Sequence, residues 1–138
     1  MTTDAAEPVG QPIAETVYRV DPEAIVRYAG ASGDFTSFHY DTARARSMGY
    51  DTLFAMGMLA AGHLGTLAAA VAGAPVRTIS FRFLSRSWVG HDVVCRAWRD
   101  ERADDELGLR LEAADDTGTA VVSGYALISS AGRGSTSG

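Results

Sequence analysis

Asp34 and His39 lie five positions apart in the run Tyr28-Ala29-Gly30-Ala31-Ser32-Gly33-Asp34-Phe35-Thr36-Ser37-Phe38-His39-Tyr40-Asp41. A carboxylate and an imidazole this close in a loop can converge on one water molecule. They can divide proton removal and proton delivery between them near neutral pH. The spacing has a plainer reading too: Asp after a helix is commonly a turn former, and a single His is commonly polar surface. A second candidate is Phe54-Ala55-Met56-Gly57-Met58, which opens a long apolar segment. The first N–H groups of a helix starting there lack intrahelical acceptors, and the dipole behind them favours negative charge, so they could hold a developing oxyanion. Gly57 would let a carbonyl approach without a side chain in the way, although helix–sheet packing alone can also call for a glycine.

These residues need elements to hold them. An extended stretch near Ile13 to Arg19 precedes Asp21-Pro22-Glu23, which reads as a helix start: Asp as N-cap, Pro in the first turn, acid at the positive dipole end. Ile25, Tyr28 and Ala29 recur at helical spacing, and the helix is expected to stop near Ser32-Gly33. Asp41-Thr42 can cap a short helix through Met48, closed by Gly49. The segment Gly57 to Ala72 carries no acid and no Lys or Arg, and it ends before Gly73-Ala74-Pro75. It is shorter than the ~20 apolar residues of a spanning helix, and a helix with no polar stripe must be covered nearly all round.

Beyond it the period becomes two. Ile79, Phe81 and Phe83 alternate with Thr78, Ser80 and Arg82; Val93 to Arg102 reads as a further strand; Leu107, Leu109, Leu111 and Ala113 alternate with Gly108, Arg110 and Glu112. Asp115-Asp116-Thr117-Gly118 is a hairpin turn, and Thr119 to Ser130 is the last strand. The class is α+β, with a curved antiparallel sheet wrapped about the apolar helix. Residues 12–130 form one domain, between a disordered N-terminal segment, 1–11, and a disordered tail, 131–138.

A net charge of -5 argues against a broad grip on nucleic acid. Cys95 is the one cysteine, so no intramolecular disulfide and no cysteine cluster for zinc can form; in its apolar run it reads as buried filler. Met1 to Gln11 lacks the basic-then-apolar pattern of a signal peptide, and a cytoplasmic setting with no membrane association is expected.

The run Y-A-x-x-S-G-D-x-x-x-x-H-x-D, then Gly49, then A-x-G-M, resembles the hydratase signature of MaoC-like hot-dog proteins. Phe81-Arg82-Phe83 and Trp88-Val89-Gly90-His91-Asp92-Val93 resemble that family's F-x-F and V-G-D-x-V segments, so the resemblance runs in order from about Tyr18 to Ile128. It implies a long helix swaddled by an antiparallel sheet, usually dimeric; a homodimer is expected. It implies Asp34 and His39 as the catalytic pair, in an order left open, with Gly57 facing the thioester oxygen. Met56, Met58, Phe35 and Phe38 are the expected neighbours of the substrate. The implied reaction is reversible hydration of a 2-enoyl thioester to the (R)-3-hydroxyacyl product. The substrate rides on coenzyme A or on the phosphopantetheine of an acyl carrier protein, and no metal or redox cofactor is implied.

The chain departs from the family's D-x-N-P-x-H loop, reading Asp34-Phe35-Thr36-Ser37-Phe38-His39, and has Met56 where A-H-G-M has His. Loss of the proline's fixed φ suggests a looser or differently shaped loop, and an altered acyl pocket suited to polyketide or other specialised biosynthesis. Two other readings stand beside it. A hot-dog thioesterase commonly carries its carboxylate on the central helix, where this chain has none; a non-catalytic subunit would only shape a partner's acyl tunnel.

Overall fold

The computed structural model describes residues 10–100 and 107–128. The chain runs β1 (Ala14–Arg19), α1 (Pro22–Ser32), α2 (Thr42–Ser47), β2 (Phe54–Ala55), α3 (Gly57–Ala72), β3 (Val76–Phe83), β4 (Ser87–Trp88), β5 (Asp92–Asp100), β6 (Leu107–Asp115) and β7 (Ala120–Ile128). The disorder expected at the two ends falls outside the described residues, except for Gly10 and Gln11, as do the last residues of the strands expected to reach Arg102 and Ser130.

The local signals act as their chemistry dictates. The Asp21 carboxylate accepts from the Ala24 N–H at 2.8 Å, satisfying one orphan donor of α1, and the helix buries Ile25 and Ala29. Gly33 ends it at φ 80, donating to Ala29 O at 2.9 Å, a left-handed cap that costs any other residue more. Asp41 caps α2 in the same way, through the Arg44 N–H at 3.2 Å. In the β6–β7 hairpin, one Asp115 oxygen accepts from the Thr117 N–H, the Thr117 hydroxyl and the Thr119 N–H.

Five strands form one antiparallel sheet in the order β1-β5-β6-β7-β3. Its concave face sets Val93, Cys95, Ala97, Leu109, Leu111, Ala113, Val122 and Ala126 against Ala60, Leu64, Leu67 and Ala68 of α3. Burying one such leucine fully contributes about 2 kcal/mol, and the alanines let helix and sheet approach closely. Opposite Phe81, Gly124 leaves its face to the aromatic ring: a Cβ there would stand 3.0 Å from the ring and 3.1 Å from Ser80 O. This is the architecture that the resemblance implies.

Two features differ from expectation. Phe54–Ala55 does not simply open α3; it pairs with Ser87–Trp88 as a second, two-stranded sheet, and a Val89 N–H to Leu53 O bond of 3.0 Å extends it. The cover of α3 is also one-sided. Met58, Gly62, Thr66 and Ala69 follow one another on the helix face opposite the sheet, and all are exposed. A single sheet reaches round only half of the cylinder.

Cys95 is fully buried, and burial pushes its thiol up from 9.0 to about 11, against a smaller opposing effect of the Thr16 hydroxyl. The folded state therefore holds the thiol proton more tightly than the unfolded chain. This contribution is complete below pH 9 and is lost as pH rises towards 11. Thermal melting should fall more steeply over that interval in the wild type than in Cys95→Ala. Alkylation of Cys95 in the folded protein should be roughly tenfold or more slower than in denaturant; equal rates would contradict the burial.

Candidate active site

Gly33 turns the chain out of α1 and into a loop that folds back on itself. The Asp34 N–H donates to Ser32 Oγ at 3.1 Å, while Asp34 Oδ1 accepts from the Thr36 hydroxyl at 2.7 Å and the Thr36 N–H at 3.1 Å. These bonds, the hydroxyl's foremost, hold the Asp34 carboxyl below the ordinary carboxylate range, and the nearby His39 adds a smaller pull the same way. Thr36 stands where the family loop has Asn, and Ser37 where it has Pro. The loop is not slack for that: Ser37–His39 forms a single 3₁₀ turn, with the His39 N–H on Thr36 O at 3.1 Å.

That turn drives the His39 side chain inward, to 7 % exposure. Its Nδ1 lies 2.7 Å from Phe54 O. A carbonyl oxygen only accepts, so Nδ1 carries the hydrogen and Nε2 presents its lone pair in the neutral ring. Aromatic rings brace the imidazole: Phe38 at 4.6 Å between centres, and Phe54 edge-on at 5.0 Å. Tyr50 and Trp88 pack on Phe54 in turn, at 4.9 and 5.5 Å.

Asp34 and His39 share a cleft of 690 Å³ with Met56, Gly57 and Met58 at the start of α3, and with Phe83 to Ser87. Met56 caps the helix without a side-chain bond, and the Leu59 N–H turns back onto Met56 O at 3.0 Å. Gly57 and Met58 have no acceptor within the helix for their N–H groups, which carry its positive end. A Cβ on Gly57 would meet the Phe83 ring at 2.8 and 3.0 Å, so the room this glycine leaves is taken up by a ring that is itself 53 % exposed. The arrangement combines a fixed anion, an imidazole of defined tautomer and two backbone donors in one apolar hollow. Such a site suits proton transfer beside a carbonyl that gains negative charge.

The structure thus brings Asp34, His39, Met56, Gly57 and Met58 together. It does not bring Phe35 or Phe38 to the cleft: Phe35 is 59 % exposed away from it, and Phe38 fills the aromatic cluster behind His39. His63 stacks face to face on Tyr18 at 3.9 Å, its pKa lowered by burial, and does not line the cleft; His91 binds Asp116 at 2.6 Å. Tyr28 and Arg86 line the cleft as well; by sequence Tyr28 belongs to the buried spacing of α1, and Arg86, with Arg77 and Arg82, reads as solvated outer strand face or as a contact for the phosphates of coenzyme A. The break in alternation at Leu84-Ser85 is the one sign that Arg86 has left the strand. Among the described residues, no group of three His, Cys, Asp or Glu could hold a metal ion, and no helix is long and apolar enough to cross a membrane.

A family model described as MaoC like domain matches residues 4–130. No curated protein matches the chain. Among solved structures, it is similar to the unliganded R-hydratase PhaJ1 from Pseudomonas aeruginosa, with 24 % identity over 88 % of this chain and 80 % of that one, at a TM-score of 0.78. It is similar also to an (R)-hydratase from A. caviae involved in PHA biosynthesis (24 % identity, 90 % and 97 % coverage, TM-score 0.77). A third likeness is the ChsH1–ChsH2 complex from Mycobacterium tuberculosis (21 % identity, 89 % and 98 % coverage, TM-score 0.76).

Ring-nitrogen NMR of the neutral His39 should find the hydrogen on Nδ1, exchanging slowly, and a bare Nε2. The reverse tautomer would contradict the bond to Phe54 O.

Proposed function

The chain belongs to the MaoC-like domain family, which has the hot-dog fold, and from that premise we propose that it is a hydro-lyase acting on thioesters. It adds water across the double bond of a 2-enoyl thioester, giving the (R)-3-hydroxyacyl thioester, or removes it in reverse. The observation that carries this reading is the commitment of His39 Nδ1 to Phe54 O, which leaves Nε2 as the proton-transferring atom beside an ionised Asp34.

In this reading Asp34 accepts a hydrogen bond from the water and holds it, while His39 Nε2 takes one of its protons as the oxygen bonds to C3. The same proton is then given to C2, on the same face, so that addition is syn and atoms balance. Charge moving onto the thioester oxygen meets the free N–H groups of Gly57 and Met58. Water and one proton carrier complete the cycle, so the reaction calls for no metal or redox cofactor. The acyl group rides on coenzyme A or a carrier protein's phosphopantetheine, in the cytoplasm. Thr36, Ser37 and Met56, which replace the family's Asn, Pro and His, favour a specialised acyl substrate, as in polyketide assembly. The thioesterase reading loses its usual carboxylate, because α3 has no Asp or Glu.

Assembly belongs to the same proposal. The exposed small residues of α3 and the outer edge of β3, which pairs with no further strand among the described residues, would be covered by a second copy of the chain. Sedimentation should give about twice the 14.5 kDa chain mass, and Ala69→Arg should shift it towards monomer; a monomeric wild type would sink the dimer.

Hydration of a short trans-2-enoyl-CoA, followed as loss of the conjugated absorbance, tests the chemistry. His39→Ala and Asp34→Asn, each checked for folding, should lower kcat by roughly a hundredfold or more. Activity surviving both substitutions would remove the pair from the mechanism.

A further inference from the structure

Arg86 reaches the cleft from the segment joining β3 to β4, between Ser85 and Ser87. Aromatic rings seat it. Its Cζ lies 4.9 Å from the Tyr50 ring centre and 5.2 Å from that of Phe54, and Nη2 donates to the Tyr50 hydroxyl at 3.2 Å. Arginine suits such a seat better than lysine, because its flat, weakly hydrated cation stacks on rings while its N–H edge stays directional. No ion pair among the described residues includes Arg86. Asp34, the other formally charged group of the cleft, is bound to Thr36. Most of the guanidinium's donors are therefore unspent. They stand at a wall that Phe54, Met56, Met58, Phe83 and Leu84 make apolar. A cation with free donors beside apolar surface favours an anion.

The position limits which anion. Arg86 and His39 flank the same ring, Cζ at 5.2 Å and the imidazole centre at 5.0 Å from the centre of Phe54, so no more than about 10 Å separates them. We propose that Arg86 selects thioesters whose acyl chain carries a negative group, a carboxylate first of all, a few bonds beyond the double bond. This inference rests on the hydratase reading of the cleft. A thioester substrate also brings the phosphate of its pantetheine arm, but that long arm carries the phosphate well away from the reacting carbons, out of reach of a cation this near His39.

The test begins with binding, which needs no turnover. Calorimetry would compare two saturated acyl-CoA thioesters of matched length, one ending in carboxylate and one in methyl, on the full-length protein. The wild type should bind the carboxylate about tenfold or more tightly. Arg86→Gln should reduce that ratio to about twofold or less, and Arg86→Lys, which keeps the charge but loses the stack, should fall between them. The same ratio would then be read in kcat/KM with the matching trans-2-enoyl pair. A carboxylate preference in binding that Arg86→Gln abolishes, with neither enoyl thioester hydrated, keeps the anion site and rejects the hydratase reading. Hydration of both substrates with no preference, or with one that Arg86→Gln leaves intact, overturns the Arg86 assignment alone. Equal weakening of both ligands by Arg86→Gln, absent with pantetheine thioesters that lack the phosphate, gives Arg86 to the arm and likewise overturns it. If Arg86→Gln does not fold, the wild-type ratio and the Arg86→Lys ratio decide.

Discussion

The sixteen residues Gly57 to Ala72 carry no formal charge, and most of the molecule follows from how one face of this helix is kept from water. The sheet bends round the helix, and Ala60 and Ala68 keep the approach close enough for Leu64 and Leu67 to reach the strands. A helix fixed in that cradle has its N-terminus at one rim of the sheet, where Gly57 and Met58 line the cleft. The loop from Gly33 to Asp41 returns to the same rim and brings Asp34 and His39 with it.

Much of this is legible in the residues. Asp21 and Asp41 act as caps because their short carboxylates reach N–H groups three positions on, a local relation that the chain order itself contains. Alternation along β5 and β6 marks the concave face, and Asp115 to Gly118 marks the hairpin, for similar reasons. Asp34, His39 and Gly57 are visible through their types and spacing together with the family resemblance.

What is not legible is non-local or lacks a side-chain signature. The acceptor of His39 is a main-chain oxygen, which every residue has. Strands β2 and β4 have two residues each, too few for any period. Phe35 and Phe38 lie between the two in sequence, but Phe35 precedes the 3₁₀ turn and is exposed, while Phe38 lies within it and packs in the cluster behind the imidazole. Arg86 shares its type with Arg82 of the outer strand face; only the end of the strand separates their surroundings. The bare face of α3 has the composition of a buried one, and composition does not say which molecule provides the cover.

The acceptor of His39 also has a bearing on how this site could change over generations. An imidazole oriented by another side chain can lose its partner through a single codon change, and its tautomer with it. Here the partner is the peptide carbonyl of residue 54, which remains under every substitution of Phe54, so the ring's orientation is insulated from point mutation at the atom that sets it. The cleft wall enjoys no such protection. The side chains of the wall can therefore drift while the orientation of the imidazole is inherited unchanged.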